Sequence, residues 1–394
     1  MRHQVLMMIA AAVLATLAVG CADDAGNDNG DDMLPDMGDD GPDDDDNNDD
    51  DGDDDDEPEP EPEPRLVLTT LPEVEQWDTD TIAAMDHVVE GASVVGLGEA
   101  THGSGGLHQA RAVMIRRLVE VHGARAFFME SPWLQARAAN DYVAACAGSP
   151  QDATASFFYY IWFDAALQET LEWFCDWNRD NPQDPIFVGG VDVQNPFDDV
   201  TGLEQWLPQL TDTADEIIEG LRQCPFATFT DVHDALQRPS EDVVDARACR
   251  QGLDALEDVL TSADPSEEAA LAQLAWRSLA AWLDINNAPS NPALLTARDT
   301  AMADLLQAQW SQDALAIVYM ANSHISRAHP DVKGTALEPY NLEGGQSTGT
   351  VLAQRLGDRY VAIATTARIL GVNRKGTPPE RDNRGSLAAS LYAT

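Results

Sequence analysis

The chain has 394 residues, enough for one large domain with an insertion, and a formal charge of −46 from 23 Lys and Arg against 69 Asp and Glu. So acidic a chain lacks the basic patches that give affinity for nucleic acid, and it does not lie on anionic lipid, so no nucleic-acid partner is expected. The charge favours solubility, and 44% hydrophobic residues leave room for a substantial core.

Residues 1–21 read as an export signal. Arg2 and His3 form a basic start, and Val5 to Val19 is almost wholly apolar but shorter than a comfortable membrane span. The run ends Leu17-Ala18-Val19-Gly20-Cys21, which resembles a bacterial lipobox with Cys21 as the lipidated residue. The expected location is the cell envelope, with the protein held to the outer membrane through lipid on Cys21. A plain secretory signal cut nearby is the alternative.

Residues 22–64 hold 23 Asp or Glu and no Lys, Arg or aromatic residue. Such a segment cannot bury enough apolar surface to offset its ordering entropy, so a disordered acidic tether is expected. Its Glu-Pro run, Glu57 to Pro64, favours polyproline II, and at about 3.1 Å per residue the segment could extend roughly 130 Å. With those 23 acids and Arg2 set aside, residues 65–394 still carry −24.

The remainder alternates strand and helix patterns. Thr81 to Glu90 has apolar residues at helical spacing and ends at Gly91. Ser93 to Gly98 is a short apolar strand, followed by a helix over Leu107 to His122. Ala124 to Glu130 is a second strand. Helices at Trp133–Ala147 and Ala165–Arg179 flank an aromatic cluster of Phe157, Phe158, Tyr159, Tyr160, Trp162 and Phe163. Pro185 to Asp192 is a third strand.

Residues 200–312 then show repeated helical periodicity and little strand character. They read as a helical cap inserted before the penultimate strand, with long helices at Ser266–Ile285 and Asn291–Trp310. Ala314 to Asn322 is a fourth strand, Thr348 to Leu356 a helix stopped by Gly357, and Tyr360 to Thr366 the last strand. Beyond residue 370 the sequence reads as a polar loop and tail. This alternation predicts an α/β domain over residues 65–394, with a mostly parallel sheet covered by helices.

Besides Cys21 there are four cysteines: Cys146, Cys175, Cys224 and Cys249. Export permits disulfides, and of the three possible connectivities proximity favours Cys224–Cys249. No Cys/His spacing of a zinc site occurs, and no GxGxxG or P-loop follows a strand, so no cofactor is expected.

Each of the first four strands ends in polar side chains: Glu99 and His102, then Glu130, then Asp192 and Gln194, then Asn322 and His324. Parallel strands bring these ends to one rim, where ligands of open α/β sheets bind. A lone carboxylate there is commonly a helix cap, but four coincidences of that kind are hard to explain as packing. An imidazole beside carboxylates suits proton transfer to water. His108 and His122 on the following helix read as surface or helix-end residues. His87, His233 and His329 have no partner signal, Trp276 and Trp282 read as cap packing, and no GxSxG elbow marks a serine nucleophile.

Gly98-Glu99-Ala100-Thr101-His102-Gly103 resembles the signature of the erythromycin esterase family. The resemblance continues at Arg111, Phe127 to Glu130, Gly190 to Gln194, Arg298-Asp299 with Met302, Asn322-Ser323-His324 and Leu356 to Tyr360. It implies an α/β core with a helical region over the site, and hydrolysis of an ester or macrolide-type lactone without an obligatory metal. It further implies that His102 is the base that activates water and that Glu99 and Glu130 orient base and water. Arg111, Arg298 and His324 would line the site and steady the oxyanion, with Asp192, Gln194 and Asn322 on the substrate side. Ala321 stands where many relatives have histidine and Gly106 where they often have an acid, so the substrate is left open. Two other readings use the same residues: a divalent-metal-dependent hydrolase and a non-catalytic surface ligand-binding lipoprotein.

Overall fold

Five short apolar runs build the centre of the molecule. In the computed structural model the described residues are 82–83, 85–100, 102, 105–157, 160–224, 246–311, 313–327, 344–365, 369–370 and 381–382. The chain divides into two units, Met1–Thr69 and Thr70–Thr394, and every described residue belongs to the second. The expected signal, Cys21 and the tether therefore lie outside the described residues, as do His233, His329, Phe158 and Tyr159.

In chain order the elements are α1 (Asp86–Val89), β1 (Val94–Glu99), α2 (Gly105–Glu120), β2 (Ala124–Pro132), α3 (Trp133–Ala145), α4 (Pro150–Ser156), α5 (Ala165–Asp180) and β3 (Phe187–Asp192). There follow α6 (Pro196–Trp206), α7 (Ala214–Arg222), α8 (Ala246–Ser262), α9 (Glu267–Asn286), α10 (Asn291–Gln309), β4 (Leu315–Ala321), α11 (Asn322–Ile325), α12 (Thr348–Leu356) and β5 (Tyr360–Thr365). β6 (Ile369–Leu370) and β7 (Arg381–Asp382) pair antiparallel beyond them.

The main sheet is five-stranded in the order β3-β2-β4-β1-β5, and all its pairings are parallel. Both faces are covered, so the strands read as unbroken apolar runs. In β4, Leu315, Ile317 and Tyr319 meet a core shared with Ile115 and Leu118 of α2, Ala139 and Tyr142 of α3, and Phe174 of α5. The alternate residues Ala316, Val318 and Met320 meet Met302 and Leu306 of α10 and Val351 and Leu352 of α12. A third core joins α6 to α10, with Leu203, Ile217, Leu253, Leu279 and Leu294 around Trp282 and the first residue of α3, Trp133. α10 thus serves two cores: one face closes the helical block and the other lies on the sheet.

Local chemistry sets the helix starts. Ser266, Ser290 and Ser347 cap α9, α10 and α12, each accepting a backbone N–H three residues on. Disulfides join Cys146 to Cys175, fastening the end of α3 to α5, and Cys224 to Cys249, the pair expected from the sequence. The expected helix over 81–90 is helical at Asp86–Val89 and at 82–83, and the third strand begins at Phe187 rather than Pro185. The tail expected beyond residue 370 includes β7, and α4 was not anticipated. His122, at the end of α2, pairs with Asp86 at 2.7 Å in the helix-end role expected of it.

Candidate active site

β1 ends on Glu99, whose side chain is wholly buried. Strand alternation turns it toward α2, where Arg111 Nη2 reaches its Oε2 at 2.5 Å. Its other oxygen, Oε1, lies 2.6 Å from His102 Nδ1. Burial opposes the charge of Glu99, but Arg111 and the His102 hydrogen bond outweigh it and hold the carboxyl below its usual range. Desolvation also opposes a charged His102, whose side chain nonetheless stays 41% exposed. The bond to Glu99 and the charge of Glu130 outweigh that and raise its pKa, with His324 acting against them.

A second group of side chains is held from α10. Arg298 grips Asp192 with Nε at 3.1 Å and Nη2 at 2.7 Å, and the same Nη2 lies 3.4 Å from Glu130 Oε1. Glu130 Oε2 accepts the Ala321 backbone N–H at 2.9 Å, and Oε1 lies 3.5 Å from His324 Nε2. Desolvation would raise the Glu130 pKa, yet His324, His102 and Arg298 together lower it. His324 is raised: burial works against its charge, and Asp299 and Glu130 more than compensate. Trp162 joins the two sides. Its ring meets His102 edge-on at 5.6 Å, and its N–H donates to the Glu130 carbonyl at 2.9 Å.

Three expected roles are corrected by this geometry. Arg111 is completely buried behind Glu99 with its guanidinium 3.6 Å from the Tyr319 ring centre, so it neutralises the carboxylate rather than lining the cleft. Asp192 is also completely buried and serves to aim Arg298. Asn322 donates to the Thr365 carbonyl at 3.1 Å and packs so closely on β1 that a methyl group at Gly98 would overlap it. Gln194 is buried just past β3.

His108, expected at the surface, is buried one turn before Arg111. Its Nδ1 faces the Tyr319 hydroxyl and Arg111 Nη2, the latter at 3.0 Å. Arg111 can only donate, so Nδ1 accepts and the ring proton falls to Nε2, which lies 3.6 Å from Glu99 Oε2. Desolvation, and then Arg111, push its pKa down to about 4, so it is neutral. Sequence reasoning also missed Tyr319, and it quoted Asp299 only within the Arg298 motif and Trp162 only as a member of the aromatic cluster. Asp299 followed Arg298 in the quoted motif, but no pattern said which way it turned. Among the described residues no group of three or more His, Cys, Asp or Glu side chains forms a metal-ligand set. A groove of about 570 Å³ lies elsewhere, between α9 and α10, lined by Trp276, Ala280, Pro292 and Thr296 among others.

The profile of the erythromycin esterase family matches residues 119–383. The chain belongs to the erythromycin esterase family. Within it, the chain is 31% identical over 109 residues to erythromycin esterase type I of Escherichia coli. That match covers 26% of this chain and 27% of the relative, so it spans about a quarter of the relative's length. The fold is shared with a crystal structure described as a succinoglycan biosynthesis protein, at 19% identity and TM-score 0.62 over 76% of this chain and 72% of that one. It is also shared with the open conformation of a mutant of the erythromycin esterase EreC, at 21% identity and TM-score 0.51 over 74% of each chain. The family match begins at residue 119, after Glu99, His102 and Arg111, and the fold brings Glu99 and His102 to the rim that Glu130 and His324 share, with Arg111 behind Glu99.

Proposed function

We propose that the protein is a carboxylic ester hydrolase that acts on an ester or macrolide-type lactone through water activated by His102. The observation that carries this is the Glu99–His102 pair, 2.6 Å apart, with the acid buried and the imidazole open to solvent. Glu99 fixes Nδ1, which leaves Nε2 to take a proton from water. Arg298 supplies donors for the oxygen on which charge develops, and Glu130 positions Arg298 and the water. Exposed aromatic rings at the same rim, Phe163 beside Trp162 and Phe197 after β3, suit an apolar substrate body. The family membership supports the reaction class, and the ester or macrolide-type lactone is proposed from the family resemblance together with these apolar rings.

The same proposal includes the membrane. Lipid on Cys21 anchors the protein to the cell envelope, and the acidic segment holds the enzyme away from the surface.

The test is a panel of esters and lactones assayed with wild type and His102→Ala. Loss of a positioned base lowers turnover by about 10²–10⁴-fold. The melting temperature should be unchanged, because His102 is partly exposed. Undiminished turnover by the folded variant removes His102 as the base.

A further inference from the structure

His324 is backed by a second buried acid. Its Nδ1 lies 2.7 Å from Asp299 Oδ1, and Asp299 is completely buried. The same oxygen accepts the backbone N–H of Thr348 at 2.7 Å and its hydroxyl at 2.9 Å. Thr348 is the first residue of α12, so the donors at that helix start face the carboxylate. A carboxylate fixed by these two donors holds the imidazole in one orientation. The other ring nitrogen, Nε2, lies 3.5 Å from Glu130 Oε1, which faces its proton in the charged ring, and 3.4 Å from Arg298 Nη1, a donor that pairs with it once that proton has gone.

The cleft therefore contains two imidazoles, each backed by a buried carboxylate, in unlike surroundings. His102 is 41% exposed and its acid is shared with Arg111, whereas the His324 side chain is 10% exposed and meets both Asp299 and Glu130. Ester hydrolysis has two proton transfers, one from water and one to the departing alkoxide, and the second matters most when the alcohol is a weak acid.

We propose that His324 is the proton donor to the leaving alkoxide and that Asp299 is the positioning residue that holds it in that role. This rests on the hydrolase reading above. Water adds to the acyl carbon as its proton passes to His102 Nε2. The bond from that carbon to the alcohol oxygen breaks as the Nε2 proton of His324 passes to that oxygen. Acid and alcohol depart, His102 releases its proton to solvent, and His324 takes one up.

The experiment compares two esters of one acid, ethyl butyrate and 4-nitrophenyl butyrate, hydrolysed by the full-length enzyme. 4-Nitrophenolate leaves without protonation and ethoxide does not. The ratio of the two rates is independent of how much of a sample is folded. In Asp299→Asn the ethyl-to-aryl ratio should fall by about 10²-fold, within the range general acid catalysis provides. His324→Gln should show the same selective loss and serves if the Asp299 variant does not fold. Equal losses on both esters in either variant overturn the assignment while leaving His102 as the base. A wild type that hydrolyses neither ester, or a His102→Ala variant that retains both rates, overturns the hydrolase reading itself and this inference with it.

Discussion

Glu99 and His102 are three residues apart in the sequence, and the turn after β1 closes them into a hydrogen-bonded pair. The pairing predicts a pH profile. A base works when neutral, so kcat/KM falls as pH drops through the His102 pKa, which the site holds above its ordinary value of 6.5. Glu99→Gln removes the hydrogen-bonded anion that favours the protonated ring, while Glu130 and His324 continue to pull in opposite directions. The acidic limb should therefore move to lower pH in that variant, as measured by kcat/KM from pH 5 to 9; an unmoved limb would show that Glu99 does not set the base. These residues were legible beforehand because each stands at or just past the end of a strand, where a parallel sheet forces convergence. His108, Tyr319 and Asp299 were not. They lie within helices or a strand, and their partners come from packing across elements, so no local spacing encodes them.

At the scale of elements, the five strands were readable as apolar runs because both faces of the sheet are covered. The helix α4 was missed because it has only seven residues, although its start carries the usual signals: Ser149 as cap, accepting the Asp152 backbone N–H, and Pro150 in the first turn. The helical block is joined to the sheet through Asp199 of α6, which is buried and accepts from Trp133 Nε1 at 2.7 Å. Trp133 follows β2 directly, three residues beyond Glu130. Burial pushes the Asp199 pKa up to about 8, against hydrogen bonds from Ser278 and Trp133 that lower it, with Asp198 adding to the rise. The sign follows from proton linkage. The folded state binds this proton more tightly than the unfolded chain, so its contribution is complete at acid pH and is lost as pH rises from about 4 to 8. Asp199→Asn keeps an acceptor for Trp133 without the ionisation. It should flatten the pH dependence of unfolding and stabilise the protein at pH 8 by on the order of a few kcal/mol. Urea midpoints at pH 5 and pH 8 test this, and parallel curves for wild type and variant would contradict it.

For the molecule as a whole, charge is a property of the sequence rather than of the sheet. Residues 22–64 account for half of the −46 charge. The proposed anchor predicts that Cys21→Ala moves the protein from the membrane to the soluble fraction with its hydrolytic rate intact. Fractionation of cells producing each form checks it, and continued membrane association of the variant would dismiss the lipid as the anchor. Among the described residues, no helix is long and apolar enough to cross a membrane.

The middle strand of the sheet is the fourth to be synthesised. Until residues 315–321 leave the ribosome, β1 and β2 have unpaired edges facing each other and nothing to join them. A nascent chain that ends before residue 315 holds Glu99 and Glu130 on strands with no partner between them, and it lacks His324. The tie between the two halves of the sheet and the arrival of His324 beside Glu130 therefore coincide late in synthesis, with α12 and β5 still to come. Under the export proposed above, a polypeptide threaded through a secretion pore before it folds gains from that delay, because the tie between its two halves is withheld until most of its length has been made.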